Sequence, residues 1–300
     1  FEHLYDINTY MLVDNFDLND IINDYKLNLI NLFERSLISK KLYKYLNKIP
    51  NDIGNFRILP KLHKNKFGIR PIVNCKSNFT CTISLLIDYI LKPFVLNMES
   101  FIQDSQNLIQ KTLNSKFDKD TILYSCDFES LYTNINHDEA INKLTDFLNN
   151  KINSKHISIL GFNSLLKFLL YNNYFKFENK VFKQIRGIAM GTIAAPSIAN
   201  IFLYCFEKEF LTIHRPLCYF RFIDDIFIAT HKNFDINLLK SSFNIKLNIN
   251  SDRIIQFLDL NIYVCNYTKR LKFSLYIKPT NTFSYLFTNS NHPNFITKNI

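Results

Sequence analysis

A mixed α+β fold is predicted, on three observations. Short runs rich in Phe, Tyr, Ile and Val pair up around turn signals, as 174–177 does with 181–185. Between such runs lie segments with apolar residues at helical spacing, as in Leu27, Ile30, Phe33 and Leu37. No internal repeat and no Pro/Gly/Ser-rich linker divides the chain.

Composition narrows the class. Of 300 residues, 47% are hydrophobic and 15% aromatic, which describes a folded chain with a large core. The longest apolar segment, 83–96, is interrupted by Asp88 and Lys92, so no membrane partner is expected. The six cysteines show no metal-ligand spacing and imply a reducing compartment. The net charge is +10, yet residues 1–25 hold six acidic residues and no Lys or Arg. A body so basic suits a polyanionic partner, nucleic acid before membrane.

Taken in order, residues 1–25 are Asn/Asp-rich and poorly periodic and read as an extension of uncertain order. A helix follows over 25–49, ended by Pro50. Two short strands, 56–59 and 69–73, flank a basic loop in which Lys61, His63, Lys64, Lys66 and Arg70 form a cluster suited to phosphate. Helices are expected over 82–96 and 104–113. The run 121–126 then reads as a strand buried on both faces and ends at Asp127. Helices over 137–150 and 163–171 precede the hairpin 174–185. Small residues around Gly187 and Gly191 lead into a helix begun near Pro196 and leave room for a flat group against the backbone. Two aromatic strands then flank Asp224-Asp225, which falls at their turn. A short helix over 237–243 and a hairpin made of 254–264 and 271–277 complete the pattern.

The Asp pair alone is equally a polar turn, because Asp is common in turns. Two adjacent carboxylates are costly to bury, so a cationic partner is expected beside them. Asp127 lies 97 residues before Asp224, so only tertiary structure can join them. Should neighbouring strands of one sheet carry them, three carboxylates converge as hard ligands suited to Mg²⁺. With a basic hairpin for a triphosphate and a small-residue surface for a base pair, the parts together ask for a template-directed nucleotidyl transferase.

The same blocks, in the same order, resemble a reverse transcriptase. They are Leu59-Pro-Lys-Leu-His-Lys64, Arg70-Pro-Ile-Val73, the run from Asp127 to Ile135, Ala189-Met-Gly-Thr-Ile-Ala-Ala-Pro196 with Ala199-Asn200, Arg221-Phe-Ile-Asp-Asp-Ile-Phe227, Phe257-Leu-Asp-Leu260, and Lys278-Pro-Thr with Asn291-His-Pro293. Within that group the wording is most similar to the Penelope-like retroelement enzymes, which are related to telomerase. Met190 before Gly191, where many reverse transcriptases have Gln, fits that subgroup.

The resemblance implies a right-hand polymerase fold with fingers, a ferredoxin-like palm and a short or truncated thumb. It implies an N-terminal extension over 1–50, fingers and palm over 51–264, and a palm/thumb junction over 265–300. Asp127 and Asp224 would be metal ligands together with the Phe128 carbonyl, for two Mg²⁺ ions or Mn²⁺ in their place, and Asp225 a supporting charge. Arg70, with Lys61 or Lys64, would hold the incoming triphosphate. Tyr132 would stand under the sugar and exclude a 2′-hydroxyl, and Met190-Gly191 would pack near nucleotide and template. Asp259 has no implied catalytic role and reads as a satisfied structural carboxylate. The implied partners are an RNA template, a DNA primer and dNTPs, and the implied site of action is nuclear. The alternatives are a catalytically inactive nucleic-acid-binding remnant of such an element, against which the intact Asp127, Asp224, Asp225 and Arg70 argue, and a two-metal nuclease, which leaves Tyr132 unexplained.

Overall fold

The computed structural model describes residues 4, 6–60, 68–152, 154–243, 245–279, 281–283, 290–293 and 296. In chain order the elements are β1 (Tyr10–Val13), α1 (Leu18–Glu34), α2 (Lys40–Leu46), β2 (Gly54–Pro60), β3 (Ile69–Val73), α3 (Cys81–Leu96), α4 (Ser105–Thr112), β4 (Ile122–Phe128), α5 (Leu131–Asn134), α6 (His137–Leu148) and α7 (Ile159–Tyr171). There follow β5 (Tyr174–Phe177), β6 (Lys180–Gln184), α8 (Ala195–His214), β7 (Cys218–Phe222), β8 (Asp225–Thr230), α9 (Asn237–Ser241), β9 (Leu247–Asp252), β10 (Ile255–Phe257), β11 (Leu260–Cys265) and β12 (Arg270–Leu275). They form the expected α+β arrangement, with sheets ordered β1-β6-β5-β2-β3, β7-β8-β4-β9 and β10-β11-β12. Every pairing is antiparallel except β2 with β5.

The four-stranded sheet is the centre of the molecule and is covered on both sides. Alternation along β4 and β8 sends Tyr124, Cys126, Phe128, Ile226 and Ile228 to one face, into a core shared with α3, α6, α7 and α8. Leu123, Phe227 and Ala229 point the other way, against α4 and the β10-β11-β12 sheet. The same alternation places Asp127 and Asp225 on this second face, at the end of the strands. A smaller core of Tyr10, Phe56, Val73, Phe175, Phe182 and Ala189 holds the five-stranded sheet.

Several boundaries differ from the sequence reading. Residues 10–13 and 18–25 are built into the fold: β1 pairs with β6, and α1 starts at Leu18 behind Asp17, whose side chain accepts from Asn19 N–H. The single helix expected over 25–49 is two, broken where Ser36 takes φ +56°. The strand expected over 254–264 is two strands turning at Leu258, φ +54°, and β9 precedes them. Asp224 sits in the hairpin turn, but Asp225 is already the first residue of β8. Lys61, His63, Lys64 and Lys66 lie outside the described residues.

Candidate active site

The site is set by strand register. Asp127 on β4 stands directly opposite Asp225 on β8 and opposite Asn248 on β9, so one row across three strands carries all three side chains on one face. Asn248 Nδ2 donates to Asp127 Oδ2 at 3.3 Å. Asp224 is joined to the same level through its carbonyl, which accepts from Phe128 N–H at 3.1 Å. The β7–β8 connection is the two-residue turn Ile223-Asp224, closed by the Phe222–Asp225 pair. Ile223 has φ +54°, a region that a β-branched side chain enters only under strain. Like charges opposed across a ladder are unfavourable. The sheet therefore holds Asp127 and Asp225 in a placement that stability alone would not select.

The floor beside this row follows β4 directly. Ser130 takes φ +53° and turns the chain into α5, which carries Tyr132. The Tyr132 carbonyl accepts from Ile188 N–H at 2.7 Å, and Gly187 N–H donates to Ile135 O at 3.0 Å. Gly187 has φ +80°, and a Cβ there would come within 2.4 Å of the Tyr132 carbonyl oxygen. Only glycine allows this close approach. The Tyr132 hydroxyl is pushed up to about 12 by burial and by the charge of Asp224, against the opposing effect of Arg221. The ring is therefore neutral at ordinary pH.

The opposite wall comes from β3. Val73 N–H donates to the Met190 carbonyl at 2.8 Å. Gly191, φ +124°, brings its backbone so near β3 that a Cβ would lie 2.0 Å from Val73 O. The small-residue segment thus ties β3, which carries Arg70, to the backbone that supports Tyr132. Together these walls enclose an open cleft of about 690 Å³. Arg70, Asp127, Tyr132, Met190, Asp224 and Asp225 all line it, with Phe128 and Lys278 beside them. Gly191 and Asp259 are not among the residues that line it, and the Asp259 carboxylate accepts from the Ser105 hydroxyl.

Sequence reasoning passed over three residues of this region. Asn248 sits in β9, a strand it did not detect. His137 is buried, with Nε2 at 2.7 Å from the Gly187 carbonyl, so Nε2 carries the proton and donates. Nδ1 of His137 has no partner among the described residues, and burial pushes the imidazole down. Arg221, quoted only as part of a motif, is fully buried and ion-paired to Glu207. Arg221 reaches the Asp-Asp turn only at the Ile223 carbonyl, and Glu207 is its counter-charge.

Among the described residues, no group of three or more His, Cys, Asp and Glu side chains is arranged to hold a metal ion. Donors of the right chemistry nonetheless line the cleft: Asp127, Asp224, Asp225 and the Phe128 carbonyl are hard oxygen ligands of the kind Mg²⁺ takes, with Asp6 and Glu129 on the same wall.

A four-stranded antiparallel sheet backed by helices, with paired carboxylates at its open end and a second sheet forming the facing wall, defines a right-hand polymerase fold with fingers and palm. The family model for "Reverse transcriptase (RNA-dependent DNA polymerase)" matches residues 35–254, and the chain belongs to that family. Among solved structures it is similar to telomerase from Candida albicans in complex with a fragment of telomeric RNA, with a TM-score of 0.56 and 11% identity over 86% of this chain and 51% of that one. Apo telomerase from Candida tropicalis gives 0.53 and 13%, over 73% and 47%. The RNA-dependent RNA polymerase of a human picobirnavirus gives 0.53 and 11%, over 87% and 62%. The chain spans about half the length of the telomerase chains it resembles. No curated protein sequence matches it.

Proposed function

We propose that this chain is the polymerase core of a Penelope-like retroelement reverse transcriptase, adding dNTPs to a primer 3′-hydroxyl under the direction of an RNA template. The observation that carries this reading is the convergence on one cleft of Asp127, Asp224 and Asp225 with Tyr132 and Arg70. The Penelope-like assignment rests on motif wording, Met190-Gly191 and Arg221-Phe-Ile-Asp-Asp225 above all.

Two divalent ions, held by Asp127, Asp224 and the Phe128 carbonyl, would supply activation of the primer hydroxyl and charge stabilisation of the departing pyrophosphate. The chain's own residues do the positioning. Arg70 offers a planar fork to the triphosphate. The Tyr132 ring, neutral and backed by Gly187, fills the space under the sugar where a 2′-oxygen would go. Asp225 adds negative charge opposite Asp127 and fixes the row. On this reading residues 51–264 are fingers and palm.

Primer extension on an RNA template, run in parallel with dNTPs and with rNTPs, tests the reading. Extension should use dNTPs and disappear in Asp127→Ala and Asp224→Ala. Extension by rNTPs alone would point instead to the chemistry named for the viral structural neighbours.

A further inference from the structure

We propose that Arg221 is a positioning residue for the Ile223-Asp224 turn, acting from a fully buried network that has no contact with substrate. This inference rests on the reading of Asp224 as a site carboxylate. A guanidinium has five N–H groups, and all five of Arg221 are used. Nε donates to Glu207 Oε1, and Nη2 donates to Glu207 Oε2 at 3.3 Å and to the Asn200 carbonyl at 3.0 Å. Nη1 donates to Asn200 Oδ1 at 2.6 Å and to the Ile223 carbonyl at 3.0 Å. The last of these bonds is the one that reaches the turn.

That bond acts where it matters. The Ile223 carbonyl belongs to the same planar peptide as the nitrogen and Cα of Asp224. Fixing the carbonyl therefore fixes the point from which the Asp224 side chain starts. Ile223 is also the strained residue of the turn, and a strained conformation persists only where its surroundings over-determine it.

The network is built to be rigid. Glu207 also accepts from the Tyr219 hydroxyl at 2.9 Å and from the Ser100 hydroxyl at 2.8 Å. The Arg221 backbone donates to Ser100 O at 2.6 Å and accepts from Ile102 N–H at 3.0 Å. The turn is thereby referenced to α8, to β7 and to the segment before α4 at once. Charge compensation of Asp224 does not explain the arrangement, since Glu207 already neutralises Arg221 and both are fully buried. Stability is a weak explanation as well, because a buried ion pair is often replaceable by apolar residues without loss.

Arg221→Lys tests this. Lysine keeps the charge facing Glu207 but lacks the planar fork and cannot also reach Asn200 and Ile223. Three readouts are compared with the unsubstituted chain: thermal midpoint, amide hydrogen exchange of residues 222–226, and the kcat and dNTP KM of primer extension. The expected result is a folded protein in which exchange at the turn speeds up about tenfold while β4 and β9 stay protected. Extension should lose about 10- to 100-fold in kcat with little change in KM. Exchange and kcat at unsubstituted levels in folded protein would overturn the proposal. So would faster exchange spread evenly over the whole sheet with kcat per folded molecule intact. If Arg221→Lys does not fold, Arg221→Met/Glu207→Gln removes both charges, and the same confined exchange at 222–226 is expected of it. If the unsubstituted chain extends no primer, the proposed function fails, whereas the exchange measurement still decides the role of Arg221.

Discussion

Asp127 and Asp225 face each other because β4 and β8 run antiparallel in a register that pairs them, and a slip of one residue would send one carboxylate into the helix-facing core. Tyr132 stands beside them on a short helix whose backbone is clamped by Gly187. Its hydroxyl, pushed up to about 12, has no charge to contribute, so the ring alone should provide the sugar selectivity. Tyr132→Phe is therefore expected to keep the preference for dNTPs, and Tyr132→Ala to admit ribonucleotides. Competition between dNTP and rNTP during extension reads this out, and unchanged selectivity in the alanine variant removes Tyr132 from the role. At this scale the acidic residues were legible because a carboxylate ending an apolar strand is conspicuous. Asn248 was not, since an Asn in an alternating strand looks like any solvent-facing residue. Its importance comes only from the partner strand.

Elements were harder to delimit than residues, and the reason is turn chemistry. The chain has five glycines, yet ten non-glycine residues among those described have positive φ, including Ser36, Glu178, Ile223 and Leu258. The usual glycine punctuation is missing at the helix break after α1 and at the β10–β11 turn, so both were read as continuous elements. Glu178, exposed at the two-residue β5–β6 turn with φ +53°, is a plain instance. Glu178→Gly should stabilise the protein by about 0.5–1 kcal/mol, because glycine removes the left-handed penalty where no packing is lost. Denaturant midpoints check this, and a decrease would show that the turn is not strained.

At the start of α6, His137 links element to site through the Gly187 carbonyl. Burial depresses its pKa in the folded state, with the Gly187 bond and Asp138 opposing and Lys183 adding to the fall. The unfolded chain then binds a proton more readily than the folded one. The stability His137 contributes is present above its unfolded pKa, about 6.5, and is lost as pH falls toward the depressed folded value. The urea midpoint of the unsubstituted protein should therefore fall more steeply below about pH 6.5 than that of His137→Gln. Parallel slopes would contradict this.

For the whole molecule, the decisive feature is that the end of the four-stranded sheet faces β3 across one cleft. The sequence supplied the pieces of this arrangement in order, and the basic excess pointed to a polyanion. It could not supply the insertion of β1 beside β6, which depends on pairing with residues more than 160 positions away. Nor could periodicity show that Asp6 lies in the cleft wall with Thr9 and Tyr10. With a net charge of +10, binding to an RNA–DNA primer-template should weaken more than about tenfold between 50 and 200 mM salt, through counterion release. Salt-independent affinity would argue that the basic surface is not the contact.

The most direct test of the central claim is single-turnover primer extension on an RNA template in Mg²⁺, with near-isosteric substitutions at each carboxylate. Asp127→Asn and Asp224→Asn, with thermal midpoints near that of the unsubstituted chain, should extend no primer, while Asp225→Asn should retain a measurable fraction. Extension at the unsubstituted rate by either Asp127→Asn or Asp224→Asn would contradict the account.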